Sequence, residues 1–142
     1  MKDIKLNYKK IAEQIKSIHL IAREKKWIPY YDKELDSFYF TPNTIDSKYF
    51  LQAIGEELLV YVDEDSNIGG IFAEYFGNNL ASHDEKFKPF KKIIVQKQKL
   101  TQEIKILLLS TFEASLLEAI TPKFSLRQSD QKDNIKISSD YL

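Results

Sequence analysis

The chain has 142 residues, 43% of them hydrophobic and 13% aromatic, with 21 basic side chains balancing 21 acidic ones and no cysteine. That length supports one domain around one core, and the composition is far from that of a disordered chain. The lack of cysteine excludes disulfides, thiolate zinc sites and a cysteine nucleophile, and fits a cytoplasmic protein.

The first ten residues, MKDIKLNYKK, are charged and contain no apolar core of a secretory signal. Asn7 is placed to cap a helix over residues 8–26, in which Tyr8, Ile11, Ala12, Ile15, Ile18, His19 and Ala22 fall on one face at 100° per residue. His19, inside that stripe, reads as a hydrogen-bonded core histidine rather than a ligand or base. Residues 27–31 and 37–40 read as two strands joined by the turn Asp32-Lys33-Glu34-Leu35-Asp36, with Pro29 placing the first at a sheet edge. Residues 48–54 are ambiguous between strand and short helix and read as a strand, with Gly55 as its stop.

A second hairpin is expected from residues 58–62 and 68–76 around the acidic run DEDSN. Both faces of residues 58–62 are apolar, which predicts an inner strand covered on both sides. Gly69-Gly70, within the partner strand, reads as a bulge or a close backbone approach. Thr101 is a candidate cap for a last helix, with Pro122 placed beyond its end. The apolar residues of that helix spread over roughly 220°, too wide for one contact surface. The helix should therefore meet the sheet and the first helix, or the sheet and a second subunit. Phe112, Leu116, Leu117 and Ile120 are the candidate interface of such a homodimer. The expected architecture is an α+β domain over residues 1–122: N-terminal helix, antiparallel β-meander of four to five strands, long C-terminal helix. A polar, flexible tail is expected over residues 123–142. The most apolar run, residues 104–120, carries Lys105, Glu113 and Glu118, which argues against a membrane span.

Motifs for chemistry are sparse. Asp63-x-Asp65-x-Asn67 with Glu74 echoes a calcium loop, but the position for the sharp-turn glycine is Ile68, and Glu74 would lie roughly 15–20 Å along a strand. Asp, Ser and Asn are ordinary turn formers, and no metal or other cofactor is expected. No nucleophile motif occurs, and His83 reads as an exposed linker residue. The carboxylates of the first turn, among Tyr30, Tyr31 and Tyr39, carry only a weak enzyme reading.

The charge is unevenly laid out: +5 over residues 1–26 (eight basic, three acidic), −10 over 27–85 (two, twelve) and +5 over 86–142 (eleven, six). An acidic face built from Asp32, Asp36, Asp63 and Asp65 would suit a basic protein partner. The alternative is a nucleic-acid contact through Lys86, Lys88, Lys91, Lys92, Lys97 and Lys99, with Phe87 and Phe90 interleaved for stacking.

Two segments carry a family resemblance: Tyr31-Asp32-Lys33-Glu34-Leu35-Asp36 followed by Ser37-Phe38-Tyr39-Phe40, and Val60-Tyr61-Val62 followed by the acidic turn and Ile68-Gly69-Gly70-Ile71. Over residues 27–76 the chain resembles a small bacterial domain of unknown function with a Tyr-Asp-x-x-x-Asp strand turn and an acidic hairpin, some members of which are encoded beside RelE-like ribonuclease toxins. It departs from that pattern at Ser66, where the turn usually has glycine. The resemblance implies a non-enzymatic, partner-binding domain, antitoxin-like or regulatory, and supplies no catalytic residue.

Overall fold

A computed structural model describes residues 5–95 and 100–135, with side chains described as far as Phe124. The N-terminal segment is helical from Asn7 onward, and the Asn7 side chain accepts the Lys10 N–H at 3.0 Å as the capping pattern requires. It is two helices rather than the one expected, α1 (Tyr8–Lys16) and α2 (Ile18–Glu24), broken at Ser17, whose ψ of 24° leaves the helical range. The break keeps Ile11, Ile15 and Ile18 all fully buried. Helix α2 ends in a Schellman motif: Lys26 takes φ 58°, and the Trp27 N–H reaches back to the Ala22 carbonyl at 2.8 Å.

Five antiparallel strands follow: β1 (Ile28–Asp32), β2 (Ser37–Thr41), β3 (Phe50–Ala53), β4 (Leu58–Val62) and β5 (Ile68–Ala73). They order as β1-β2-β5-β4-β3, so β3-β4-β5 is a consecutive meander and the β1-β2 hairpin adds to the free side of β5. The ambiguous segment is a strand, and Pro29 lies in an edge strand. A register irregularity at Tyr61/Val62 marks the bulge expected near the glycines. A Cβ on Gly69 would stand 2.7 Å from the Tyr49 ring, and one on Gly70 2.7 Å from Thr41 Cγ2, so both positions exclude a side chain.

After β5 the chain forms a π-helical turn (Phe76–Leu80), then α3 (Ala81–His83), α4 (Lys88–Val95) and α5 (Gln102–Ile135). Thr101 caps α5 by accepting the Ile104 N–H at 3.2 Å. Contrary to expectation the helix does not stop before Pro122, which lies inside it. Proline removes one intrahelical hydrogen bond. The following turn is nevertheless held: Phe124 packs against the core, and Lys123 Nζ sits 5.6 Å from the Tyr8 ring centroid on α1. The first part of the expected tail is therefore helix, and the rest of it, residues 136–142, lies outside the described residues.

The helices cover one face of the sheet. Phe38 stacks on Phe112 of α5 with ring centroids 5.6 Å apart, and Phe76 and Phe87 extend this aromatic centre. Most of the wide apolar arc of α5 is thereby buried within the chain, by the sheet, α1 and α2, while Ile106 near its start stays 48% exposed. Phe112, Leu116 and Ile120 are fully buried and Leu117 is half-buried against the same core. The expected subunit interface is corrected accordingly: these side chains belong to the monomer's interior. Among the described residues, no helix is long and apolar enough to cross a membrane.

Candidate functional site

Strand alternation sends Phe38, Phe40, Val60 and Ile71 toward the helices and Tyr39, Phe72, Leu59 and Tyr61 to the opposite side. The expectation that β4 is covered on both faces is not met. Leu58, Val60 and Val62 are buried, while Leu59 and Tyr61 are half-exposed. The apolar character of β4 on both sides comes from the open face being aromatic and aliphatic in its own right.

Register builds that face into two rows. One runs Tyr30, Tyr39, Phe72, Leu59 across β1, β2, β5 and β4, with ring centroids 6.0 Å apart for the first pair and 5.0 Å for the second. The next row sets Ile28, Thr41, Gly70, Tyr61 and Leu51 side by side. Tyr30 is 59% exposed, Ile28 46% and Leu51 40%. Burial against their neighbours raises the pKa of Tyr39 and Tyr61 above the usual phenol value, and for Tyr39 the Asp32 carboxylate adds to the effect. Both hydroxyls are thus neutral donors, and Tyr39 stands near the acidic edge formed by Asp32.

The four carboxylates expected to make one acidic face do not share one. Asp32 and Asp36 sit in the β1–β2 turn, Asp63 and Asp65 in the β4–β5 turn, and the antiparallel register puts those turns at opposite ends of the sheet. Asp36 and Asp63 are moreover each only 7% exposed. Asp36, at φ 52°, accepts the Tyr31 hydroxyl at 2.5 Å and the N–H groups of Gly77 and Asn78 at 2.8 and 2.9 Å. It ties the first turn to the π-helical turn, so the Tyr/Asp cluster is a structural clamp. Burial pushes the pKa of Asp63 up, but N–H donation from Asn67 and Asp65 and the charge of Lys48 outweigh this and bring it below the ordinary value.

That second turn is also fastened to α1. Gln14 donates to the Ser66 carbonyl at 2.7 Å and accepts the Ile68 N–H at 2.9 Å, Ser66 Oγ accepts the Asn7 N–H at 2.8 Å, and Lys10 Nζ donates to the Asp65 carbonyl at 2.7 Å. Ser66 holds φ 65° and is 2% exposed. Its hydroxyl is the compensation for that strained backbone. The oxygens of Asp63 are engaged by the loop's own N–H groups and Glu74 follows the far end of β5, so the calcium pattern has no geometric counterpart.

The lysine segment divides as well. Phe87 and Phe90 are buried in the core, which removes the stacking surface assumed for them. Lys86 approaches Asp84 and Glu118 at 3.9 and 3.7 Å, Lys88 pairs with Glu85 at 3.0 Å, and Lys91 donates to Ser82 at 2.7 Å. Lys92 is exposed, and Lys97 and Lys99 lie outside the described residues.

One cluster had no sequence signal, because its members come from separate elements. His83 Nε2 lies 3.1 and 3.2 Å from the two oxygens of Glu57, itself 5% exposed, and ligand atoms of Glu56, Glu57 and His83 all fall within 4.8 Å of one another. The hydrogen bond to Glu57 raises the His83 pKa against a smaller opposing effect of burial, with further help from the charges of Glu57, Asp84 and Glu56. A raised folded-state pKa means that the pair's stabilisation is complete below the unfolded value of about 6.5 and is lost as pH rises through the folded value. A proton NMR titration of the two imidazoles should therefore place the His83 midpoint above the ordinary histidine value, and Glu57→Gln should bring it back down. A His83 midpoint unmoved by Glu57→Gln would refute the pairing.

No family model, curated protein or solved structure matches this chain.

Proposed function

We propose that this is a non-enzymatic protein-binding domain whose contact surface is the open face of the sheet. The observation that supports this reading is the aromatic and aliphatic row from Tyr30 through Tyr39 and Phe72 to Leu59, left half-exposed while the described helices pack on the other side. Contiguous apolar surface of this kind, carrying tyrosines whose hydroxyls have no partner among the described residues, is what recognition surfaces use: large contact area at little entropic cost, with a polar tip. Asp32 at the edge of the row favours a partner with a basic rim around an apolar patch. An antitoxin-like or regulatory role is the form of binding that the hairpin resemblance suggests. The nucleic-acid reading loses ground because the interleaved phenylalanines are buried and several of the lysines are engaged.

A photo-crosslinking amino acid placed at Tyr39 or Tyr61 should capture one defined protein in cells, whereas the same group at Lys16, on the exposed side of α1, should not. Phe72→Asp should abolish the capture with the far-UV circular dichroism unchanged. Equal capture from both faces, or capture indifferent to Phe72→Asp, would overturn the reading. Capture of a second copy of this chain would make the partner the protein itself.

A further inference from the structure

A cleft of about 320 Å³ opens on the helical side of β1, between α2, the Trp27–Pro29 segment and the first turns of α5. Its volume is at the lower end of the ~300–1,000 Å³ typical of small-molecule sites. The wall is apolar, made by Trp27, Phe40, Ile106 and Leu109. Two cations, Arg23 from α2 and Lys105 from α5, stand at its rim, and among the described residues neither has a carboxylate within ion-pair distance. The third basic side chain, His19, is engaged with Ser110 at 3.0 Å and with Glu113 at 3.6 Å. The amino-terminal end of α5 contributes Gln102 to the lining, with Glu103 in its first turn offsetting the positive end of the helix dipole.

Trp27 is 6% exposed, and its indole Nε1–H is buried with no acceptor among the described residues. The indole N–H is therefore sealed behind the cleft wall, and what Trp27 offers the cleft is apolar ring surface. Apolar walls and two unpaired cations together select an anion with an apolar body.

We propose that this cleft binds a small amphipathic carboxylic acid, its carboxylate held between Arg23 and Lys105 and its hydrocarbon body lying against Trp27, Phe40 and Leu109. Charge-assisted bonds from the guanidinium supply orientation, and the apolar wall supplies area. A cationic head group of the same length would meet two like charges.

Trp27 is the chain's single tryptophan, so its emission reports on this cleft alone. Titration with sodium octanoate should give a saturable change in Trp27 emission and, in a ¹H–¹⁵N spectrum, a shift of the indole N–H resonance. Octylammonium and octan-1-ol should bind at least about tenfold more weakly, the order expected when a charge-assisted contact is lost. The double variant Arg23→Gln/Lys105→Gln, altered only at the cleft rim, should lose affinity for octanoate by at least about tenfold, the worth of a charged hydrogen bond. Its far-UV circular dichroism should be unchanged. An emission change that never saturates, octylammonium binding as well as octanoate, or full octanoate affinity in the double variant would each overturn the proposal.

Discussion

Phe112→Ala is expected to lower the free energy of unfolding by about 3–5 kcal/mol, the range for deleting a buried aromatic ring. The side chain is fully buried, lies nearly parallel to Phe38 at 5.6 Å and meets Phe87 at 4.9 Å. Its removal therefore empties the point where sheet, α5 and the segment leading into α4 converge, and three elements would have to shift together to refill it. Urea unfolding monitored by circular dichroism measures the effect, with Leu107→Ala, at a position 60% exposed on the same helix, as a control that should change little. The same experiment separates the core role from the interface role that helical periodicity alone allows. A subunit contact would show as a concentration-dependent change in sedimentation, with monomer stability altered by less than about 1 kcal/mol. That outcome would return Phe112, Leu116 and Ile120 to an interface.

Asp36→Ala should cost about 3 kcal/mol or more, from leaving buried donors unpaired and losing charge-assisted bonds. The carboxylate takes three donors at once, the Tyr31 hydroxyl and the Gly77 and Asn78 N–H groups, and the Gly77 bond is buried. Alanine would also have to keep φ 52°, a conformation that aspartate and asparagine tolerate better. Asp36→Asn, which retains an acceptor and the backbone preference, should lose roughly half as much. Tyr31→Phe should cost about 1 kcal/mol in the parent and close to nothing in the Asp36→Ala background, since the two act through one bond. Equal costs in both backgrounds would refute the clamp. Burial, then the bond to Asp36, raises the Tyr31 pKa well above the usual phenol value. Its contribution is therefore complete below about pH 10 and is lost as pH rises further, and Tyr31→Phe should make the alkaline unfolding midpoint less steeply dependent on pH.

Several features were legible in the chain because they are set within a few residues of themselves. Asn7 and Thr101 cap the helices they precede, and two acidic, polar runs turn the two hairpins. The glycine pair marks a bulge, and Pro29 marks an edge. In each case the cause is local: a side-chain oxygen near an orphan N–H, a missing donor, or a missing Cβ.

Whatever depends on a second element had to wait for the tertiary structure. Periodicity put Phe112, Leu116 and Ile120 on a broad arc but could not say whether the chain or another copy would close over it. The answer came from where α1 and α2 pack. Composition marked Asp36 and Asp63 as acidic surface, yet both are buried, because N–H groups nearby in the fold satisfy their oxygens. The pairing of His83 with Glu57 joins residues 26 positions apart with no motif between them. The apolar residues on both sides of β4 showed two faces suited to burial, and the sequence by itself determined that both sides of this strand would be greasy. Which one was left open was decided only when all the helices docked on the same side, since a strand's side-chain pattern specifies its faces but not the layer that covers them.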